Sequence, residues 1–252
     1  MVHDDTMTDT NALEGWARDS HTAAGHTHPT FRRGSGPGVV VIHEIPGITP
    51  EVETFANAVV DRGFTVVLPH LFGRPGAPAS ATEMMRSMGQ VCVNKEFTKL
   101  AAGRTSPIAD WLRSLARELH AELGGPGVGA LGMCFTGGFA LAMMVDDSVA
   151  APVLAQPSLP FAIGSRRKAD LGLSPADLEV VRQRVAGGCA VLGLQYGSDS
   201  ATGTRFDTLD DELGSGFIRV DLEGKGHSTL TAHRQQSAVD RVLDFFDERL
   251  KG

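Results

Sequence analysis

Three residues of this sequence have the types and the chain order for one reaction. Cys134 stands in Gly132-Met133-Cys134-Phe135-Thr136-Gly137-Gly138, Asp199 in Gly197-Ser198-Asp199-Ser200, and His227 in Gly224-Lys225-Gly226-His227-Ser228. Nucleophile, acid and histidine in that order make a triad for acyl transfer. The imidazole takes the thiol proton, the carboxylate fixes its tautomer and stabilises its cationic form, and the thiolate attacks an acyl carbon. The segment Val128 to Met144 reads as a short apolar strand, a sharp turn carrying one reactive side chain, and a helix that opens on small residues. A sulfur placed there meets a helix N-terminus, whose unpaired N–H groups and dipole favour a thiolate and a developing oxyanion. The backbone N–H groups of Phe135, just after the nucleophile, and of Ile45, after an earlier strand, are the candidates for an oxyanion hole. Glu44 shares that strand end and is a candidate for activating the nucleophile.

Each residue also has a plainer reading. Cys134 fits a buried structural cysteine in a Gly-rich turn, because free Cys is among the most buried residue types. Asp199 fits a turn cap, since Asp readily bonds its own backbone. Glu44 fits a counter-charge for His43 or a partner of the next helix dipole.

These residues need strands that end together. Val39-Val40-Val41-Ile42 is a β-branched run of the kind found in fully buried parallel strands, and it leads straight into His43-Glu44. Thr49-Pro50-Glu51 opens a capped helix that runs to Arg62, and Phe64 to Leu68 is a second buried strand ending at His70. Residues 82–100 lack clear periodicity and are expected to be irregular or helical cover near the site. Ile108, Trp111, Leu112, Leu115, Leu119 and Leu123 follow helical spacing. Beyond the Cys134 turn, strands are expected at residues 149–154, 189–196 and 217–222, a capped helix from Ser174, and a closing helix over residues 234–250. This alternation, without a repeat of roughly 20–50 residues, predicts a mostly parallel sheet with helices on both faces. Residues 28–252 are expected to form one domain. Residues 1–27 are polar and aperiodic and are expected to form a flexible tail, with His21, His26 and His28 solvated in it.

Composition narrows the function classes. A net charge of -7, with no basic run beyond Arg166-Arg167-Lys168, argues against nucleic acid or an anionic membrane as partner. That run is expected to be a solvated loop. No stretch approaches the ~20 apolar residues of a membrane helix, and no secretory signal is visible, so a cytoplasmic location is expected. Three widely spaced cysteines make neither a disulfide framework nor a zinc site.

With these pieces together, the chain resembles the dienelactone hydrolase (carboxymethylenebutenolidase) family, a cysteine-nucleophile branch of the α/β-hydrolases. The resemblance rests on His43-Glu44-Ile45-Pro46-Gly47-Ile48, Leu68-Pro69-His70-Leu71-Phe72-Gly73, the Cys134 turn, and the Asp199 and His227 loops, over about residues 30 to 250. It implies an α/β-hydrolase fold, attack of Cys134 on a lactone carbonyl with His227 and Asp199 completing the triad, and a Glu44 that interacts with the resting cysteine and helps activate it. It also implies that no cofactor or metal takes part. Thr136 departs from the pattern, which has Gly two residues after the nucleophile. Family members hold a substrate carboxylate with arginines; Arg86 and Arg104 lie in the corresponding region without aligning to that role. The expected function is therefore a hydrolase opening a dienelactone or a related small ester or lactone. A general carboxylesterase or thioesterase with the same triad, or a catalytically silent small-molecule binder, are the alternatives.

Overall fold

The computed structural model describes residues 13–97, 103–159 and 164–252. One eight-stranded sheet runs through it, in the order β1-β2-β4-β3-β5-β6-β7-β8. The strands are β1 (Ala17–Ala23), β2 (His26–Arg33), β3 (Gly38–Ile42), β4 (Thr65–Pro69), β5 (Val128–Met133), β6 (Val149–Ala155), β7 (Val191–Tyr196) and β8 (Phe217–Leu222). From β4 onward all neighbours are parallel, whereas β1 with β2 and β2 with β4 are antiparallel.

Period two explains the layers. Val40 and Ile42 of β3 turn to a core shared with Trp111, Leu112, Phe139 and Phe206, while Val39 and Val41 turn to a core with Phe55, Val59, Val242 and Phe246. The first core lies beneath α3 (Ile108–Leu123), α4 (Gly137–Met143), α6 (Pro175–Ala186) and α7 (Arg205–Leu213), and the second beneath α1 (Pro50–Asp61) and α8 (Gln236–Leu250). Both helix starts marked by Ser or Thr before Pro are capped: Thr49 Oγ1 accepts from the Val52 N–H, and Ser174 Oγ from the Asp177 N–H. No helix among the described residues is long and apolar enough to cross a membrane.

Three expectations need correction. Residues 17–27 are not a flexible tail but part of a β-hairpin whose residues pair from Ala17↔Arg32 to Ala23↔His26. Its two-residue turn has positive φ at Ala24 (51°) and Gly25 (80°), a conformation usually announced by Asn-Gly. The sequence over Thr27 to Arg33 already reads as a short edge strand or hairpin, which β2 matches, but in β1 the one buried position, His21, is polar, so no apolar alternation marked that strand. His21 and His28 are buried rather than solvated: both pack edge-on against Trp111, and His26 and His28 share the Glu96 carboxylate. Residues 1–12 of the expected tail lie outside the described residues. Residues 81–93, expected to be irregular or helical, form a regular helix, α2 (Ala81–Val93), which buries only Glu83, Ser87 and Val91. Its low apolar burial hid the period. The basic run, expected as a loop, is a short exposed helix, α5 (Ser165–Lys168).

Candidate active site

The site is built at the carboxyl edge of the sheet, where β3, β5, β6, β7 and β8 end. β5 passes directly into a single 3-10 turn, Cys134–Thr136, and then α4. Cys134 has φ of 52°, a strained left-handed conformation for a residue with a Cβ. Two glycines permit this turn. A Cβ on Gly132 would sit 2.1 Å from the Thr136 carbonyl oxygen, and one on Gly137 would sit 2.7 Å from Pro157 Cα.

Thr136 itself needs no glycine. Its φ of -88° and ψ of -1° are ordinary right-handed values, and it is fully buried. Its Oγ1 accepts from the Met133 N–H at 3.0 Å and lies 3.0–3.2 Å from the carbonyls of Met133, His43 and Ile42, which compete for its one proton. The departure from the family pattern thus ties the elbow to the end of β3.

Asp199 and His227 come together as expected. His227 Nδ1 lies 2.7 Å from Asp199 Oδ2, and the ring is about a quarter exposed. Asp199 also caps its own turn, accepting from the Ala201 N–H and the Thr202 hydroxyl at 2.9 Å, so the turn cap and the bond to His227 coexist. Burial pulls the His227 pKa down, but its bonds to Asp199 and Cys134 and the charges of both outweigh that and raise it to about 10. Burial pushes Asp199 up, and its bond to His227 leads the effects that bring it below the usual carboxylate value. An imidazolium is therefore held beside the sulfur at neutral pH.

The sulfur has a further neighbour that sequence reading missed. Cys134 Sγ lies 3.1 Å from Ser158 Oγ, and the Ser158 N–H donates to the Cys134 carbonyl at 3.0 Å. The available signal was its position just past the end of β6, another parallel strand ending at this edge.

Glu44 is brought to the site but not into hydrogen-bonding contact with the cysteine. Its carboxylate accepts from Ser228 Oγ at 2.9 Å, from Gln156 Nε2 at 3.4 Å and from the Thr231 hydroxyl in a short bond. Among the hydrogen bonds of the described residues none joins it to Cys134. Gln156 in turn accepts from the Thr229 N–H and hydroxyl, so the buried Glu44–Gln156 pair grips the loop that follows His227. His43 is not the counter-ion of Glu44. It is fully buried, and burial first, then the nearby His70, lowers its pKa to about 3. The neutral ring accepts from the Leu71 N–H at Nε2 and donates from Nδ1 to the Glu44 carbonyl, tying the ends of β3 and β4 together.

A cleft of about 490 Å³ opens over Cys134 and His227. Ile45, Phe135, Met84, Met88 and Leu159 form its apolar wall, and Lys168 is the cation among its described lining residues. The two oxyanion candidates, Ile45 and Phe135, both border it. Arg86 instead sits 3.9 Å from Glu83, and Arg104 borders a neighbouring cavity. No group of three or more His, Cys, Asp or Glu among the described residues could hold a metal ion.

The model of the dienelactone hydrolase family matches residues 23–170, a span that contains Glu44, the elbow and most of the parallel sheet. The chain belongs to the dienelactone hydrolase family. Solved structures of similar shape agree on the α/β-hydrolase fold. A dienelactone hydrolase from Anabaena variabilis is 15% identical with a TM-score of 0.64, the alignment covering 93% of this chain and 98% of that one. The alpha/beta hydrolase GrgF from a Penicillium species is 15% identical with a TM-score of 0.65, over 94% and 99% of the two chains. A cold-adapted esterase from an Arctic intertidal metagenomic library is 18% identical with a TM-score of 0.61, over 92% and 93%. No curated protein matched the sequence significantly.

Proposed function

We propose that this dienelactone hydrolase family member hydrolyses carboxylic esters or lactones through a Cys134 acyl-enzyme. The observation that carries the reading is the strained Cys134 at the elbow beside an imidazole that is bonded to Asp199 at 2.7 Å and raised to about 10. An imidazolium adjacent to sulfur is the charge that a thiolate nucleophile pairs with. The sulfur attacks the carbonyl carbon while the N–H groups of Phe135 and Ile45 hold the oxyanion. The C–O bond then breaks and His227 gives its proton to the departing alkoxide. Water, deprotonated by His227, attacks the thioester; the acid leaves and the thiol is restored. Asp199 keeps the proton on Nδ1 throughout, so that Nε2 does the transfers.

The cleft wall favours the general esterase reading over a carboxylate-bearing dienelactone. Its described lining is apolar apart from the site residues, Ser158, Ser200, Ser228 and the exposed Lys168, and Arg86 is turned to Glu83. Turnover of neutral aryl esters against dienelactones of similar size separates the two, and neutral esters are expected to lead. Cys134→Ala is expected to abolish turnover of both. Wild-type rates in that variant would end the proposal, as would a Cys134 whose alkylation at neutral pH is unaffected by His227→Gln.

A further inference from the structure

A second cavity shares part of its lining with the first. Phe135, Ser158 and Leu159 border both, and the Ser158 hydroxyl is 3.1 Å from the Cys134 sulfur. The inner wall is Phe97, Phe139, Leu154, Leu171 and Leu209. The Arg104 cation also borders it, while its other charged groups and Ser106 are engaged with backbone. The buried Arg205 guanidinium donates to the carbonyls of Arg167, Asp170 and Thr202, Asp170 accepts from the N–H groups of Gly103 and Gly172, and the Ser106 hydroxyl donates to the Glu96 carbonyl.

We infer that this inner cavity, of about 50 Å³, receives the acyl group of the substrate, and that the group is a short apolar one. The inference rests on the acyl-enzyme reading above and deepens it. His227 decides which half of an ester goes where. As general acid it must stand beside the oxygen of the leaving alcohol, and His227 borders the outer cleft but not the inner cavity. The alcohol therefore occupies the outer cleft with Met84, Met88 and Lys168. The carbonyl carbon bonded to Cys134 then directs its acyl substituent past Ser158 and inward. There each methylene leaves water for a wall of aromatic and leucine side chains, which is worth about fourfold in kcat/KM while room remains.

The test is a series of p-nitrophenyl esters from acetate to hexanoate, read as the butyrate-to-acetate ratio of kcat/KM. The wild type is expected to favour butyrate over both acetate and hexanoate. Leu209→Phe, which fills the cavity, is expected to lower the ratio at least tenfold, and Leu209→Ala to move the preference to longer chains. Because Leu209 is fully buried, Leu171→Phe and Leu171→Ala repeat the comparison at a second wall position should a Leu209 variant not fold. Ratios unchanged across these variants would overturn the assignment. So would a ratio moved by Met88→Ala and not by the Leu209 or Leu171 variants, which would put the chain beneath α2. Loss of all turnover in Cys134→Ala alongside unchanged ratios would leave the triad standing and remove only the acyl pocket; retained acetate turnover in Cys134→Ala would remove both.

Discussion

A threonine occupies the elbow position where the family places glycine, and its buried hydroxyl makes it a fastening between β5 and β3. Thr136→Val keeps the volume and deletes the bonds, leaving the buried Met133 N–H unpaired. Its cost is expected to be about 1–3 kcal/mol in urea unfolding, with Thr136→Ser retaining most of the stability. His227 supplies a pH signature. Its pKa rises from an ordinary 6.5 to about 10 on folding, so the folded state holds the proton more tightly than the unfolded chain. That stabilisation is complete below the unfolded value and is lost as pH climbs through the folded one. Unfolding midpoints of the wild type relative to His227→Gln are therefore expected to fall between about pH 6.5 and about pH 10. A constant difference over that range would contradict the raised imidazole. Cys134, Asp199 and His227 were all legible in the sequence, because each follows a short apolar run and sits among turn residues.

At the scale of elements, the loop after β8 is held by a carboxylate far away in the chain. Glu44 accepts from Ser228 and Thr231, with Gln156 as the third donor. Glu44→Gln puts a donor where an acceptor is needed. The expected result is a loss of about 1–3 kcal/mol in unfolding free energy with little change in the alkylation rate of Cys134. An alkylation rate that moved with the substitution would instead give Glu44 the direct role toward the cysteine that the family resemblance implies. Helix α2 is the weakly anchored element. It buries one apolar residue, Val91, and leaves Met84, Met85 and Val93 exposed, whereas α3 buries Trp111, Leu112, Leu115 and Leu119. Amides of Ala81–Val93 are expected to exchange with deuterium well before those of Ile108–Leu123; equal protection would show that α2 is fixed by more than Val91. The sequence left α2 undecided for the same reason that it is weakly anchored, since a helix with little to bury shows little periodicity.

For the whole molecule, the hairpin β1–β2 extends the sheet beyond the parallel strands and stands beside residues that enter the core. Trp16, just before β1, is 1% exposed and packs with Phe31 and Phe64 in the second core. Trp16→Ala is expected to cost about 3–5 kcal/mol in unfolding free energy, where a tail residue would cost nothing measurable. By itself the sequence determined the strand and helix alternation from β3 onward, the parallel sheet, the turn at Cys134 and the placing of Cys134, Asp199 and His227 at strand ends. Those features depend on local periodicity, caps and turn residues, which act over a few neighbouring positions. Tertiary structure alone decided that a histidine-lined hairpin closes the sheet edge, that Ser158 stands beside the sulfur, that Glu44 grips the loop of His227, and that a second cavity shares Ser158 with the first. In each case a polar or small residue finds its partner only when distant strands end at one edge, and no pattern along the chain says which hydroxyl will meet which carboxylate.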